Sequence, residues 1–97
     1  MSSDFYINYT QLQDKKLVEG ELEHETMVYP PIMEGMDSEV MDYTYVKFAG
    51  YPYKRDCELS TVPGDDGDTY MMMSCGGKFR EWLKRFLISH NVKHEMY

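Results

Sequence analysis

The stretch GGKFREWLKRFLISHN, Gly76 to Asn91, has one clear periodicity and decides the fold class. Phe79, Trp82, Leu83, Phe86 and Leu87 recur at i, i+3, i+4, i+7 and i+8, which gathers them on one stripe of an α-helix. Arg80, Glu81, Lys84 and Arg85 fall outside that stripe, and Ile88 falls opposite it, among the charges. Gly76-Gly77 marks the entry to the helix, and Asn91 suits the left-handed conformation that often ends one. The helix should close a core with its aromatic stripe, against Val46, Phe48, Leu59 and Met73, and present a basic face outward.

Upstream of this helix the pattern changes from helical to alternating. Phe5, Ile7 and Tyr9 alternate with Tyr6, Asn8 and Thr10, as in a strand, and Gln11 to Lys16 reads as a polar connection. Glu19, Glu21, Glu23 and Glu25 fall at every second position, and Thr26 to Tyr29 continues with β-favouring residues. Glu21 to Tyr29 is therefore expected to be a strand with an acidic outer face, ended by Pro30-Pro31. Pro31 to Asp42 reads as a loop, with or without one helical turn. Tyr43 to Tyr53 is the strongest strand signal, with Thr44, Val46 and Phe48 on one side and Gly50 and Pro52 bending or ending it.

The run PGDDGDT, Pro63 to Thr69, has turn chemistry and lies between two strand-like segments, Cys57 to Val62 and Tyr70 to Cys75. A hairpin symmetric about Asp66 would set Cys57 opposite Cys75, Leu59 opposite Met73 and Thr61 opposite Met71. The two thiols are expected to stay reduced and to pack as small hydrophobes. In sum, the chain should be one α+β domain over residues 1–97, a small antiparallel sheet of about four strands with the C-terminal amphipathic helix packed on one face.

Of the 97 residues, 42% are hydrophobic and 14% aromatic, which argues against global disorder despite a mean hydropathy of −0.59. No apolar run is long enough to span a bilayer, and MSSDFYINYTQ lacks the basic and apolar regions of a secretory leader, so a cytoplasmic location is expected. The net charge of −7 is unevenly distributed: residues 1–77 carry five Lys/Arg against fifteen Asp/Glu, and residues 78–97 carry five against two. An acidic body of this kind is repelled by nucleic acid and attracted to basic surfaces. Nine Met and nine Tyr supply the adaptable and aromatic contact area favoured at interfaces, as well as ordinary core filling.

Motifs for chemistry are absent or incomplete. Asp65-Asp66-Gly67-Asp68 lacks the alternate ligands and terminal Glu of a calcium loop, and a turn is the simpler reading. His90 and His94 have i, i+4 spacing but no further residues to complete a zinc site. Ser74-Cys75-Gly76-Gly77 lacks the lysine and threonine of a phosphate loop. No catalytic residue, metal or cofactor is therefore assigned, and the chain is expected not to be an enzyme. Tyr29-Pro30 and Tyr51-Pro52 join an aromatic residue to proline, a context that can favour cis bonds, so a prolyl isomerase is an expected partner.

The stretches DFYINYTQL (4–12), PPIMEGM (30–36), VPGDDGDTYMMM (62–73) and KFREWLKRFLISHNVKHEMY (78–97) together make the chain resemble the anti-RecBCD accessory proteins of lambdoid temperate phages. The resemblance implies a modulator without enzymatic activity. It would bind a subunit of the host RecBCD helicase-nuclease in the host cytoplasm, protect linear phage DNA and leave recombination open. Two other readings rest on composition alone: an acidic DNA mimic that inhibits a restriction, CRISPR or repair enzyme, and a small metal-binding or enzymatic protein. For a partner contact the candidates are Arg80, Lys84, Arg85 and Ile88 on the outer face of the helix, with the Tyr51-Pro52-Tyr53 bend as a second place.

Overall fold

In a computed structural model that describes residues 2–97, the chain begins with a strand, β1 (Ser2–Asn8), that passes directly into a short helix, α1 (Tyr9–Asp14). Asn8 makes that change of direction, because its side-chain oxygen accepts the Gln11 N–H and caps α1. The polar segment expected to be a plain connection is thus helical, with Tyr9 and Leu12 turned into the core. Next comes a hairpin, β2 (Glu23–Tyr29) and β3 (Glu39–Val46), paired antiparallel without a break from Glu23 opposite Tyr45 to Tyr29 opposite Glu39. Pro30-Pro31 ends β2 as expected. The next strand, however, starts at Glu39 rather than Tyr43 and stops at Val46. Beyond it Phe48 makes only an isolated bridge to Val18, and Gly50, at φ +86°, turns the chain.

The rest of the chain is β4 (Arg55–Leu59), β5 (Tyr70–Gly76), α2 (Gly77–Ser89) and β6 (His94–Met96). All pairings are antiparallel, and the strand order is β2-β3-β4-β5-β1-β6. The class is α+β with an antiparallel sheet, but the sheet has six strands instead of about four. The strand with no expected counterpart is β6, whose three residues pair with Phe5 to Ile7, and the two strands expected between Glu21 and Tyr53 pair as one hairpin. Both Tyr-Pro bonds are trans, as no cis bond occurs among the described residues.

The β4–β5 register differs from the symmetric one by two residues. Near the turn the ladder does centre on Asp66, with Gly64 N–H donating to Asp68 O at 2.9 Å. Pro63 has no N–H to continue it, and Thr69 is taken by α1, accepting from Tyr9 N–H and donating to the Thr10 hydroxyl. Thr61, Val62 and Pro63 therefore stay outside the ladder, which resumes at Ser60 N–H to Tyr70 O, with Leu59 opposite Met71 and Glu58 opposite Met72. A shift of two residues preserves the faces, so the core composition survives the error.

Phe5, Ile7, Met71, Met73, Cys75, Cys57 and Val46 line one sheet face, covered by Phe79, Leu83 and Leu87 of α2 and by Leu12 of α1. Phe48, fully buried, closes the middle of this core. Trp82 and Phe86 sit at its margin, half-buried, stacked on each other at 4.7 Å between centroids and met from the sheet side by Phe48. The helix ends as expected, with Asn91 at φ +54°, and Lys15 of the α1 end donates to the carbonyls of His90 and Asn91.

Candidate functional site

The molecule measures 52 × 31 × 26 Å, and the β2–β3 hairpin lies at one end of the strand order, with β2 paired to β3 alone. Every residue from Glu23 to Asp42 is exposed, so the outer part of this hairpin packs against nothing. Its two strands hold together by their ladder and by cross-strand contacts: Thr26 Oγ1 donates to Asp42 at 2.8 Å, Thr44 Oγ1 lies 3.2 Å from His24 Nδ1, and the Tyr29 and Tyr43 hydroxyls meet at 3.1 Å. The arm carries apolar side chains on both faces, Met27 and Met41 on one and Val28 and Val40 on the other. Ile32, Met33 and Met36 cluster in its end loop, Ile32 with 93% of its surface exposed. Scattered exposed apolar residues are ordinary, whereas a projecting element with this many is the mark of a contact surface.

The register also sorts charge between the two faces of the sheet. Asp4 and Tyr6 of β1, Met72 and Ser74 of β5, Asp56 and Glu58 of β4, and Glu95 of β6 share the face away from α2. On the arm the same face continues with Glu23, Glu25 and Glu39, and with Tyr43 and Tyr45 stacked at 6.4 Å. Lys54 is the cation at its margin, 4.7 Å from the Tyr45 ring and paired with Glu23 at 2.9 Å. The strand alternation at Glu23 and Glu25 was the sequence signal for this face. The arm's apolar end carried no periodic signal, since its Met and Ile residues lie in a loop.

The expected partner residues lie on the opposite side. Arg80 is largely spent within the fold, its Nε donating to Ser3 Oγ at 2.7 Å and its guanidinium pairing with Glu81. Lys84 is half-buried, Arg85 is exposed, and Ile88 is 59% exposed. At the Tyr51-Pro52-Tyr53 bend, Tyr51 packs at 4.8 Å on both Phe79 and Trp82, which brings the bend against the first half of α2. Pro52 and Tyr53 remain exposed. Arg55 tucks beside them, its guanidinium 4.3 Å from the Phe79 centroid and donating to the Tyr51 hydroxyl at 3.1 Å.

The chemistry-bearing groups have structural tasks. Asp66 accepts from the Tyr70 hydroxyl, the Asp68 N–H and Lys93, and these bonds, Tyr70's first, hold its carboxyl at about 2. His94 Nδ1 lies 2.7 Å from the Val92 carbonyl, and the His90 ring packs on Phe86. Cys57 and Cys75 are free and buried, and burial pushes each thiol up to about 11. Among the described residues no group of three or more His, Cys, Asp or Glu could hold a metal ion, and no helix is long and apolar enough to cross a membrane. No family model, curated protein or solved structure matches the chain.

Proposed function

We propose that the chain works by contact, as a modulator without catalytic activity that attaches to a host DNA-processing enzyme, the RecBCD helicase-nuclease first among them. In the cytoplasm of the host cell it would spare linear phage DNA and permit recombination. The single observation that supports binding as its mode of action is the projecting β2–β3 arm, with apolar side chains on both faces and in its end loop. The resemblance to phage accessory proteins supplies the choice of enzyme. Pro30 and Pro31 at the end of the arm, and Pro52 in the bend, are exposed and would be accessible to a prolyl isomerase, proposed as a second partner.

The test is co-elution of the purified chain with purified RecBCD at micromolar protein, together with nuclease assays on linear duplex DNA. The expected result is a complex with altered nuclease activity, lost when Ile32, Met33 and Met36 are all changed to Ser. Separate elution with unaltered nuclease activity would overturn the choice of enzyme. A complex that the triple variant leaves intact would overturn the role of the arm.

A further inference from the structure

We infer that the open face of the sheet, on the side away from α2, is a docking surface for a protein segment that presents Lys and Arg side chains. This rests on reading the chain as a binder and names the chemistry of what it binds. The face is uncovered: α1 and α2 contribute Leu12, Phe79, Leu83 and Leu87 to the core on the other side. Across β4, β5, β1 and β6 it carries the carboxylates Asp56, Glu58, Asp4 and Glu95, and none of the four is ion-paired among the described residues. Four other acids are ion-paired, Glu19 with Lys47, Glu23 with Lys54, Asp66 with Lys93 and Glu81 with Arg80. Like charges on neighbouring strands oppose folding, and this uncovered face holds four carboxylates that no cation of the described residues neutralises.

The surface between these acids is neither flat nor wholly polar. Asp4, Tyr6, Asp56, Glu58, Met72 and Ser74 line a hollow of about 470 Å³ across β4, β5 and β1. Tyr6 and Met72 lie side by side across β1 and β5, and the Tyr97 ring meets Tyr6 edge-on at 5.6 Å. An aromatic and thioether floor inside a ring of carboxylates complements an Arg or Lys side chain, whose apolar stem lies on the floor while its charged end reaches an acid. The Lys54 ammonium over the Tyr45 ring, paired with Glu23, shows the same grip made within the chain at the margin of this face. Anionic partners such as nucleic acid or acidic membrane are repelled by this surface, and the charge complementarity selects a basic protein segment.

The probe is an acetylated ten-residue peptide alternating Arg and Ser, with a Glu-for-Arg peptide as control, titrated into the isotope-labelled full chain while amide NMR shifts are followed. The basic peptide should shift amides of residues 4–6, 56–58, 72–74 and 95–97, and the acidic peptide should shift none. Changing Asp4→Asn, Asp56→Asn and Glu58→Gln together should weaken binding about tenfold. The same loss of charge on the arm away from this face, Glu34→Gln with Asp37→Asn and Asp42→Asn, should change it less than about twofold. Equal weakening by both triple variants would reduce the effect to net charge and overturn the inference, as would shifts confined to the arm. Shifts on this face produced by raising protein concentration without peptide would assign it to a second copy of the chain and overturn the inference too. Because the peptide replaces the enzyme, failure here is separable from failure to bind RecBCD.

Discussion

The Asn8 side-chain amide donates to the Asp68 carboxylate at 2.8 Å while its oxygen accepts the Gln11 N–H, so one buried residue caps α1 and fastens the β4–β5 loop. Asn8→Ala removes the cap, worth about 1 kcal/mol, and leaves the Asp68 carboxylate without that donor. The expected loss is about 2 to 3 kcal/mol in urea denaturation. Asn8→Ser keeps a capping oxygen and should lose about half as much; equal losses for the two variants would show that the cap contributes nothing.

Asp66 predicts the acid limb of the stability curve. Its folded pKa of about 2 lies below the ordinary 3.8, so its contribution is complete above 3.8 and is lost as pH falls from there toward 2. Asp66→Asn should therefore lower stability at pH 7 and flatten the decline over that interval. Urea midpoints of both proteins at pH 7 and pH 2.5 check this, and a constant difference between them would contradict it.

On α2 the cost of truncation should follow burial and not side-chain size. Leu83 is fully buried beneath the sheet, and Leu83→Ala should cost about 3 kcal/mol. Trp82 is half-buried at the core margin, stacked on Phe86 and flanked by Tyr51, so Trp82→Ala should cost about 2 kcal/mol, less than a fully buried Trp. Denaturant unfolding of the two variants measures the order directly.

The same distinction explains what could be read from the sequence. The 3.6-residue period from Phe79 to Leu87 specified α2 and its orientation, because burial on one side of a helix leaves a repeating pattern. Alternation specifies the faces of β1 and β2, and the faces of β4 and β5 are unchanged by their two-residue shift in register because side chains repeat every second residue. The shift itself came from Pro63 and Thr69, whose effect depends on α1 sitting against the loop, a tertiary fact with no local signature. β6 was hidden for a similar reason, since three residues pair only because β1 offers an edge. Among the basic contact candidates on α2, Arg80 is held by Ser3, at a sequence separation of 77, which its charge and helical position do not reveal. The arm escaped because exposure of Ile32, Met33 and Met36 is a property of what fails to pack against them.

Cys57 and Cys75 should be inert in the native state. With burial raising each to about 11, the thiolate fraction at pH 8 is on the order of one in a thousand, and both residues are buried. A thiol reagent such as DTNB should react at the rate at which the protein opens, and the rate should rise to that of a free thiol in urea. Reaction of either cysteine within the mixing time under native conditions would contradict the placement of both.

The arm should open on its own, ahead of the body. β2 and the first half of β3 bury no side chain, so their ladder is held by backbone hydrogen bonds and exposed cross-strand pairs alone, whereas β1 and β5 are paired on both edges or backed by the core. Amides of residues 24–29 and 40–43 are expected to exchange with deuterium about a hundredfold faster than those of residues 5–7 and 71–75. Native-state hydrogen exchange at low denaturant resolves the two groups. Merging of both into one cooperative unit would mean that the arm is stabilised by the body and is not an independent contact element.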